Sequence, residues 1–357
     1  MDHASVYHGA NRLHKSRGDS HFPFRNADFE FLFFIRNPHW RSDFLDSSPE
    51  ARYDLEKLFH NTEKRRSFMA RRKSWNTSEM SYDEVNELLK VNDTIMIPMG
   101  STEKHGAHCP LGTDTMTTLG VVRLAAEMAK TPYTPIIPVG YSPHHMGSVG
   151  QGSGTLTFSG ATYRAVVYDL AMSMIYHGFN KIVFVTHHGS NSKVVDEVLR
   201  RIRYETDCFT CWAKTPTERD YVILANEGII EGPPEETPGW HAGEIETSTV
   251  MAWDEGLMDM NKAKQDRTHA PVWMGKKFCK NDGSGTVTFM GSENIWVPME
   301  HHEYSDTATI GNPFRGTKAK GEKYFKKSAE VLAAFLEEVK KFKIKVPDAA
   351  RLFKNRA

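Results

Sequence analysis

The 357-residue chain has no excess of charge in either direction: 45 lysines and arginines stand against 45 aspartates and glutamates. Without a net field there is no long-range pull on nucleic acid or on an anionic membrane, and neither is expected as a partner. Long apolar runs are missing as well. No stretch approaches the roughly twenty apolar residues of a membrane span, and the polar opening Met1-Asp2-His3-Ala4-Ser5 lacks the apolar centre of a leader, so a cytoplasmic protein is expected. Cysteine is scarce, with four in all. Cys208 and Cys211 form a Cys-x-x-Cys, but no second pair exists to complete a four-thiolate zinc site, and Asp207 to Ala213 reads as a buried strand. A phosphate-cradling glycine loop is also absent. Gly150-Gln151-Gly152-Ser153-Gly154 lacks the strand-and-helix context of a dinucleotide fingerprint and reads as pocket wall.

What the chain does have is histidine, seventeen in all, and three places where histidine meets carboxylate. Between Gly100 and Asp114 it reads Gly-Ser-Thr-Glu-Lys-His-Gly-Ala-His-Cys-Pro-Leu-Gly-Thr-Asp, too short and glycine-rich for a helix. In an extended segment Glu103 and His105 project to the same side, and the Gly112 region can fold Asp114 back beside them. Imidazole mixed with carboxylates suits zinc, manganese or iron(II) better than calcium. A solvated surface loop could carry the same residues, but this one follows the apolar run Thr94 to Met99, which reads as a buried parallel strand. Open α/β sheets bind their ligands at the carboxyl ends of such strands. A second apolar run, Lys181 to Thr186, ends in His187-His188-Gly189-Ser190-Asn191, with a helical pattern from Ser192 and Asn191 placed as its cap. The third cluster is Trp240-His241-Ala242-Gly243-Glu244-Ile245-Glu246-Thr247-Ser248, which by itself could equally be a helix start with a charged first turn.

Together the three segments resemble the creatininase (creatinine amidohydrolase) family, which carries a Gly-Ser-x-Glu-x-His-Gly-x-His-x-Pro-x-Gly-Thr-Asp loop, an Asn-Gly-His-Gly-Gly-Asn-like turn and a His-Ala-Gly-x-x-Glu-Thr-Ser segment. The resemblance spans about Asp93 to Glu322 and closes on Gly311-Asn312-Pro313 and Lys320-Gly321-Glu322. It implies an α/β fold of three layers, α/β/α, around a mostly parallel sheet. It further implies two divalent metal ions per chain (zinc, manganese or iron), with Glu103, His105, Asp114 and His188 as ligands and Asp114 bridging. The family's further carboxylate ligand falls in the His188-Gly189-Ser190 turn. Ser190 cannot supply it, and Glu246 is expected to take its place. His241 matches the histidine that lies over the substrate and is expected to carry a proton to the leaving nitrogen with a pKa near neutrality. Glu244 is expected to assist it, or else to be a structural carboxylate at the helix start.

The implied activity is hydrolysis of a C–N bond in a small, polar, cyclic amide or amidine by a metal-activated water. Two alternatives stay open: displacement of an amino or nitro group from a heteroaromatic ring at the same site, and processing or maturation of a peptide. Expected substrate contacts are His108, Cys109, His145, Ser190 and Trp240. Departures from the family pattern cluster at this pocket, with His187 for glycine, Cys109 for leucine and a longer loop at Ser142 to Met146. Family members assemble as rings or double layers, so a homo-oligomer, such as a hexamer, is expected.

The expected organisation is an N-terminal extension over 1–85 that contacts neighbouring subunits, a metal hydrolase domain over 86–345 and a tail over 346–357. The extension carries aromatic clusters such as Phe29 to Phe34 and basic runs between Lys64 and Lys73. Helices are expected at Ser81 to Leu89, after Asp114 as cap, at Thr162 to His177 and at Thr317 to Phe342, with further strands at Pro135 to Val139 and Cys208 to Ala213. Asn281 to Thr286 is expected as a turn opening a hairpin with Val287 to Met290.

Overall fold

The computed structural model describes residues 74–217, 220–231 and 240–351. All described residues lie within one compact unit, Met69–Ala357. The aromatic and basic runs of the expected extension lie outside the described residues.

Helix α1, Tyr82–Leu89, opens with a reciprocal capping box: the Ser81 hydroxyl accepts from the Glu84 amide, and the Glu84 carboxylate accepts from the Ser81 amide. It leads into β1, Thr94–Met99, whose six residues are all buried. Then follow α2 (Thr113–Ala129), α3 (Gly160–His177), β2 (Lys181–Thr186, again wholly buried), α4 (Gly189–Thr206) and β3 (Phe209–Lys214). The three strands pair in parallel in the order β1-β2-β3, with Met96 beside Val183 and Val183 beside Cys211. Strands buried on both faces need no polar alternation, which is why β1 and β2 read as continuous apolar runs.

One face of the sheet presents Ile95, Ile97, Met99, Ile182 and Phe184 to Tyr163, Val167 and Ile175 of α3 and to Val195, Val198 and Ile202 of α4, in one buried cluster. The other face is covered by α2 and by the C-terminal helix, completing three layers. Helix α5, Glu244–Asp254, lies between α2 and the long α6, Lys318–Lys340. Contact between α5 and α6 is close enough that a methyl at Gly321 would sit 2.0 Å from the Ser248 carbonyl oxygen. A separate antiparallel sheet, β4 (Phe278–Cys279), β5 (Thr286–Phe289) and β6 (Ser292–Trp296), packs Val287 against Met299, Tyr304 and Ile310.

Several expectations change. Pro135 to Val139 forms isolated bridges rather than a strand: Met96 pairs with Tyr133 and Met99 with Ile137, but Pro132, Pro135 and Pro138 supply no N–H to continue the ladder. Asp114 is not a cap. Helix α2 begins at Thr113 with Gly112 before it, and the Asp114 carboxylate turns into the protein. Nor is Asn191, since α4 starts two residues earlier and Asn191 is fully buried inside its first turn. The boundary placed at 85 cuts through α1, and Trp75 and Asn76 already pair with Tyr133. At the other end Val346 is buried in the core beside α3 and α4, so residues 346–351 belong to the body and are no free tail.

Candidate metal centre

Both β1 and β2 end at the same level, and the site is built on what leaves them. The loop after β1 is closed by the Glu103 amide donating to the Leu111 carbonyl (2.9 Å) and turns at Gly106, whose φ of +59° is the left-handed region that glycine adopts without strain. Glu103 and His105 then face inward, 1% exposed each. His188 follows β2, Asp114 comes from the first turn of α2, and Glu246 from the first turn of α5. The turn into α5 holds Ala242 at a φ of +51°, a costly backbone for a residue with a Cβ, and its amide donates to the Glu246 carboxylate.

Asp114 Oδ2 is the centre of the group. It lies 3.3 Å from His188 Nδ1 and 3.6 Å from His105 Nε2. On one side His188 Nδ1 is also 3.3 Å from Glu103 Oε1, and on the other His105 Nε2 is 3.5 Å from Glu246 Oε2. Two ligand sets result, Glu103-Asp114-His188 and His105-Asp114-Glu246, each with its donor atoms within 4.8 Å of one another and sharing Asp114.

Hydrogen bonds on the far side of each imidazole fix which nitrogen faces the carboxylates. Carbonyl oxygens only accept, so His105 Nδ1 carries the hydrogen it gives to the Glu103 carbonyl (3.0 Å), and His188 Nε2 carries the one given to the Tyr141 carbonyl (3.0 Å). The lone pairs of His105 Nε2 and His188 Nδ1 are thereby aimed at the carboxylates, the orientation that metal-binding imidazoles adopt. His105 Nε2 and Asp114 Oδ2 are buried with no hydrogen-bond partner. Such orphaned atoms are costly unless something binds them, and a cation between them satisfies both. The residues present therefore fit a divalent ion.

Electrostatics give the same answer. Burial opposes the charge on Glu103, but His145, His188 and His105 outweigh it and hold the carboxyl well below the usual range. Glu246 is held low in the same way, against burial, by His105 and His187. In return His105, despite burial, is raised to about 10 by Glu246, Asp114 and Glu103. Buried carboxylates crowded this closely draw positive charge from whatever is at hand.

A cavity of about 150 Å³ opens over the group, walled by His145, Ser190, Trp240, His241, His301 and Tyr304 among others. That space holds a compact molecule. His241 donates from Nε2 to the Lys104 carbonyl (2.7 Å) and stacks on His105 with ring centroids 4.1 Å apart. Burial, then the neighbouring His105, pushes it down to about 4, so it is neutral at physiological pH instead of poised near neutrality as expected from the sequence.

Three expected site residues fall elsewhere. Glu244 points away from the cavity and accepts from the Glu231 amide (3.0 Å) and from Lys320 Nζ (2.6 Å), tying α5 to α6. His108 lies outside the cavity wall with Nε2 3.1 Å from the Thr247 hydroxyl. Cys109 is also outside it, its thiol pushed up to about 12 by burial and by Glu246. Conversely, His187 and His301 were not singled out as site residues. His187 Nε2 braces Glu246 Oε1 at 3.2 Å while Nδ1 meets the Thr215 hydroxyl at 2.6 Å. A signal was available: the chain holds three His-His pairs, 144–145, 187–188 and 301–302, and each sends at least one ring to this site.

Comparison with known proteins gives a consistent family. A sequence profile described as creatinine amidohydrolase matches residues 78–336. Creatinine amidohydrolase of Pseudomonas putida is 26% identical over 206 residues, covering 53% of this chain and 76% of that protein. The 3-dehydro-scyllo-inosose hydrolase of Thermotoga maritima is 30% identical over 176 residues, 48% of this chain and 54% of that protein. A mycofactocin precursor peptide peptidase of Mycobacterium tuberculosis is 24% identical over 248 residues, 67% and 83% respectively. Among solved structures, a creatinine amidohydrolase (creatininase) superposes with a TM-score of 0.57 at 21% identity, over 76% of this chain and all of that one. A zinc–zinc form of a creatininase mutant gives 0.56 at 22%, again over 76% of this chain and all of that one.

Proposed function

The chain belongs to the creatininase family, and on that premise we propose that it hydrolyses a C–N bond, other than a peptide bond, in a small polar cyclic amide or amidine, using two divalent ions per chain. The observation that carries this reading is the position of Asp114, shared between the Glu103-His188 set and the His105-Glu246 set. Zinc or manganese suits these mixed nitrogen and oxygen donors. Such a pair of ions, when bound, supplies a water of lowered pKa and polarises the carbon that is attacked.

The protein's own groups do the rest. The Glu103 and Tyr141 carbonyls hold His105 and His188 in the tautomers that present a lone pair inward. Ser101 donates to Glu103 Oε2 (2.8 Å) and joins Ser142, whose hydroxyl lies 3.2 Å from His188 Nε2, so the first ligand set is braced by a buried hydroxyl chain. His187 braces Glu246 from behind. His241, neutral and with its Nε2 hydrogen committed to Lys104, keeps Nδ1 to take a proton. Its low pKa makes the protonated ring a ready donor to a leaving nitrogen. Trp240 and Ser190 bound the space for the substrate.

A second reading, cleavage at the end of a peptide, is favoured by one observation. A further cavity of about 440 Å³ adjoins the first through His144, Ser190, Lys193 and Tyr304 and is walled by Trp296 and Met299, enough room for an apolar side chain beyond the reacting group. The peptidase relative makes this worth testing.

The test is metal content and turnover together. Asp114→Asn is expected to lose both ions and all turnover on a panel of lactams, cyclic ureas and short peptides. His241→Ala is expected to keep the two ions of the carboxylate sets and lose rate. Full activity in Asp114→Asn sinks the shared-ligand reading, and loss of either of those two ions in His241→Ala makes His241 a ligand of the carboxylate group. Homo-oligomeric assembly is part of the same proposal, supported by the outward-facing Trp273 and Val272 (61% and 94% exposed). Light scattering checks it.

A further inference from the structure

His145, His241 and His301 form a second cluster of nitrogen donors beside the carboxylate group, with one donor atom from each within 4.8 Å of the others and all three residues buried. Their ring centroids make a nearly equilateral triangle with sides of 4.7, 4.6 and 4.7 Å. Three imidazoles bound to one zinc at about 2.0–2.1 Å put their centroids roughly 5 Å apart; the spacing here is close to that, with the His145 and His301 rings stacked at 30°, so the rings turn about their side-chain torsions to bring one nitrogen each onto a shared ion.

The hydrogen bonding leaves the donors free for that use. His241 commits the hydrogen on Nε2 to the Lys104 carbonyl, which puts the lone pair on Nδ1. His145 Nε2 lies 3.3 Å from Glu103 Oε1; facing a carboxylate it carries the hydrogen, which puts the His145 lone pair on Nδ1. His145 Nδ1 is buried and without a partner, and so are both ring nitrogens of His301, which is 1% exposed. A buried, unpartnered imidazole nitrogen carries a desolvation cost, and here at least two such residues face one another.

We propose that His145, His241 and His301 bind a further divalent transition-metal ion, zinc foremost, separate from the ions held by the carboxylate group. Three neutral nitrogens without a carboxylate bind more weakly than the mixed sets, so this ion loads last and leaves first. A zinc with three protein ligands would keep its fourth position for water or substrate, and all three histidines line the cavity. Resting on the functional reading above, occupancy engages the Nδ1 lone pair of His241 and removes it from proton transfer, so excess zinc inhibits.

The experiment loads metal-stripped protein with zinc or cobalt(II), and counts ions per chain after gel filtration at stepped metal concentrations. Wild type is expected to take up one ion more than His301→Ala, and Asp114→Asn is expected to retain that extra ion. The second variant, His301→Cys, adds a signal: with cobalt(II) it is expected to show a near-ultraviolet thiolate-to-metal absorption that wild type lacks. Circular dichroism confirms that each variant is folded. Equal uptake by wild type and His301→Ala, together with no thiolate band in His301→Cys, overturns the proposal. Failure of the carboxylate site is read separately, as loss of the ions that Asp114→Asn removes.

Discussion

Replacing Asn191 separates two accounts of the same residue by magnitude. As a helix cap it would be worth about 1 kcal/mol. In the structure it is fully buried, and its amide donates to the Gly100 carbonyl (2.9 Å) and the Thr186 hydroxyl (3.3 Å) while its oxygen accepts from the Tyr141 amide (3.0 Å). These bonds tie the end of β1 to the end of β2 and to the segment that carries His145. Asn191→Ala leaves the Gly100 oxygen and the Tyr141 N–H unpaired, at about 1–3 kcal/mol each, with Thr186 still able to bond the His188 carbonyl. The expected loss is therefore about 4 kcal/mol, or roughly 8–12 °C of melting temperature for a body of this size. Asn191→Asp keeps the acceptor for Tyr141 but not the donor to Gly100, and it adds a buried charge, so it is expected to cost at least as much. The assay is urea unfolding of metal-stripped protein, with the slope checked for constancy. A shift equivalent to 1 kcal/mol or less for Asn191→Ala refutes the tie and restores the cap.

Three further outcomes follow from particular contacts. Glu244→Gln is expected to weaken the α5–α6 junction and lower the melting temperature by a few degrees, with metal content and turnover retained at low temperature; loss of rate without loss of stability would return Glu244 to the chemistry. Iodoacetamide at pH 8 is expected to modify one thiol rapidly, the exposed Cys279, because burial pushes the thiols of Cys109, Cys208 and Cys211 to about 12 and leaves about one in ten thousand as thiolate. Mass spectrometry showing Cys109 labelled at a comparable rate contradicts this. Burial pushes Lys280 down to about 8, below its unfolded value near 10.4, so between those pH values the unfolded chain binds more protons and folded stability rises with pH, by about 3 kcal/mol in all; below pH 8 both states are charged and the contribution is flat. Unfolding midpoints of wild type and Lys280→Met should diverge across that window, and parallel curves reject the assignment.

The parts of the fold legible in the sequence are those where one local rule settles the outcome. Six consecutive buried residues in β1 and again in β2 read as strands because nothing polar interrupts them, and Ser81 with Glu84 announces a helix start. The candidate site was legible where its residues leave those strands. What was not legible depended on distant partners. Glu244 and Glu246 are two positions apart, which rotates them by about 200° on a helix, so only one can face inward. The choice is made by Lys320, 76 residues away, which takes Glu244. His108 and Cys109 sit in the right motif, but the turn at Gly106 carries them off the cavity wall. His301 belongs to no family motif noted in the sequence, and only the short helix at His301–Tyr304 brings it over His145.

The close crossing of α5 and α6 at Gly321 has a consequence for the order of events during synthesis. Glu246 stands on α5, whose outer face is covered by a helix made some seventy residues later. While the ribosome is still adding α6, the loop after β1, the turn after β2 and helix α2 are already available, and α5 meets them through Thr117–Thr249 and His187–Glu246 with its outer face still uncovered. The outer face of α5, the helix that supplies Glu246, is then sealed only when α6 packs across it at Gly321.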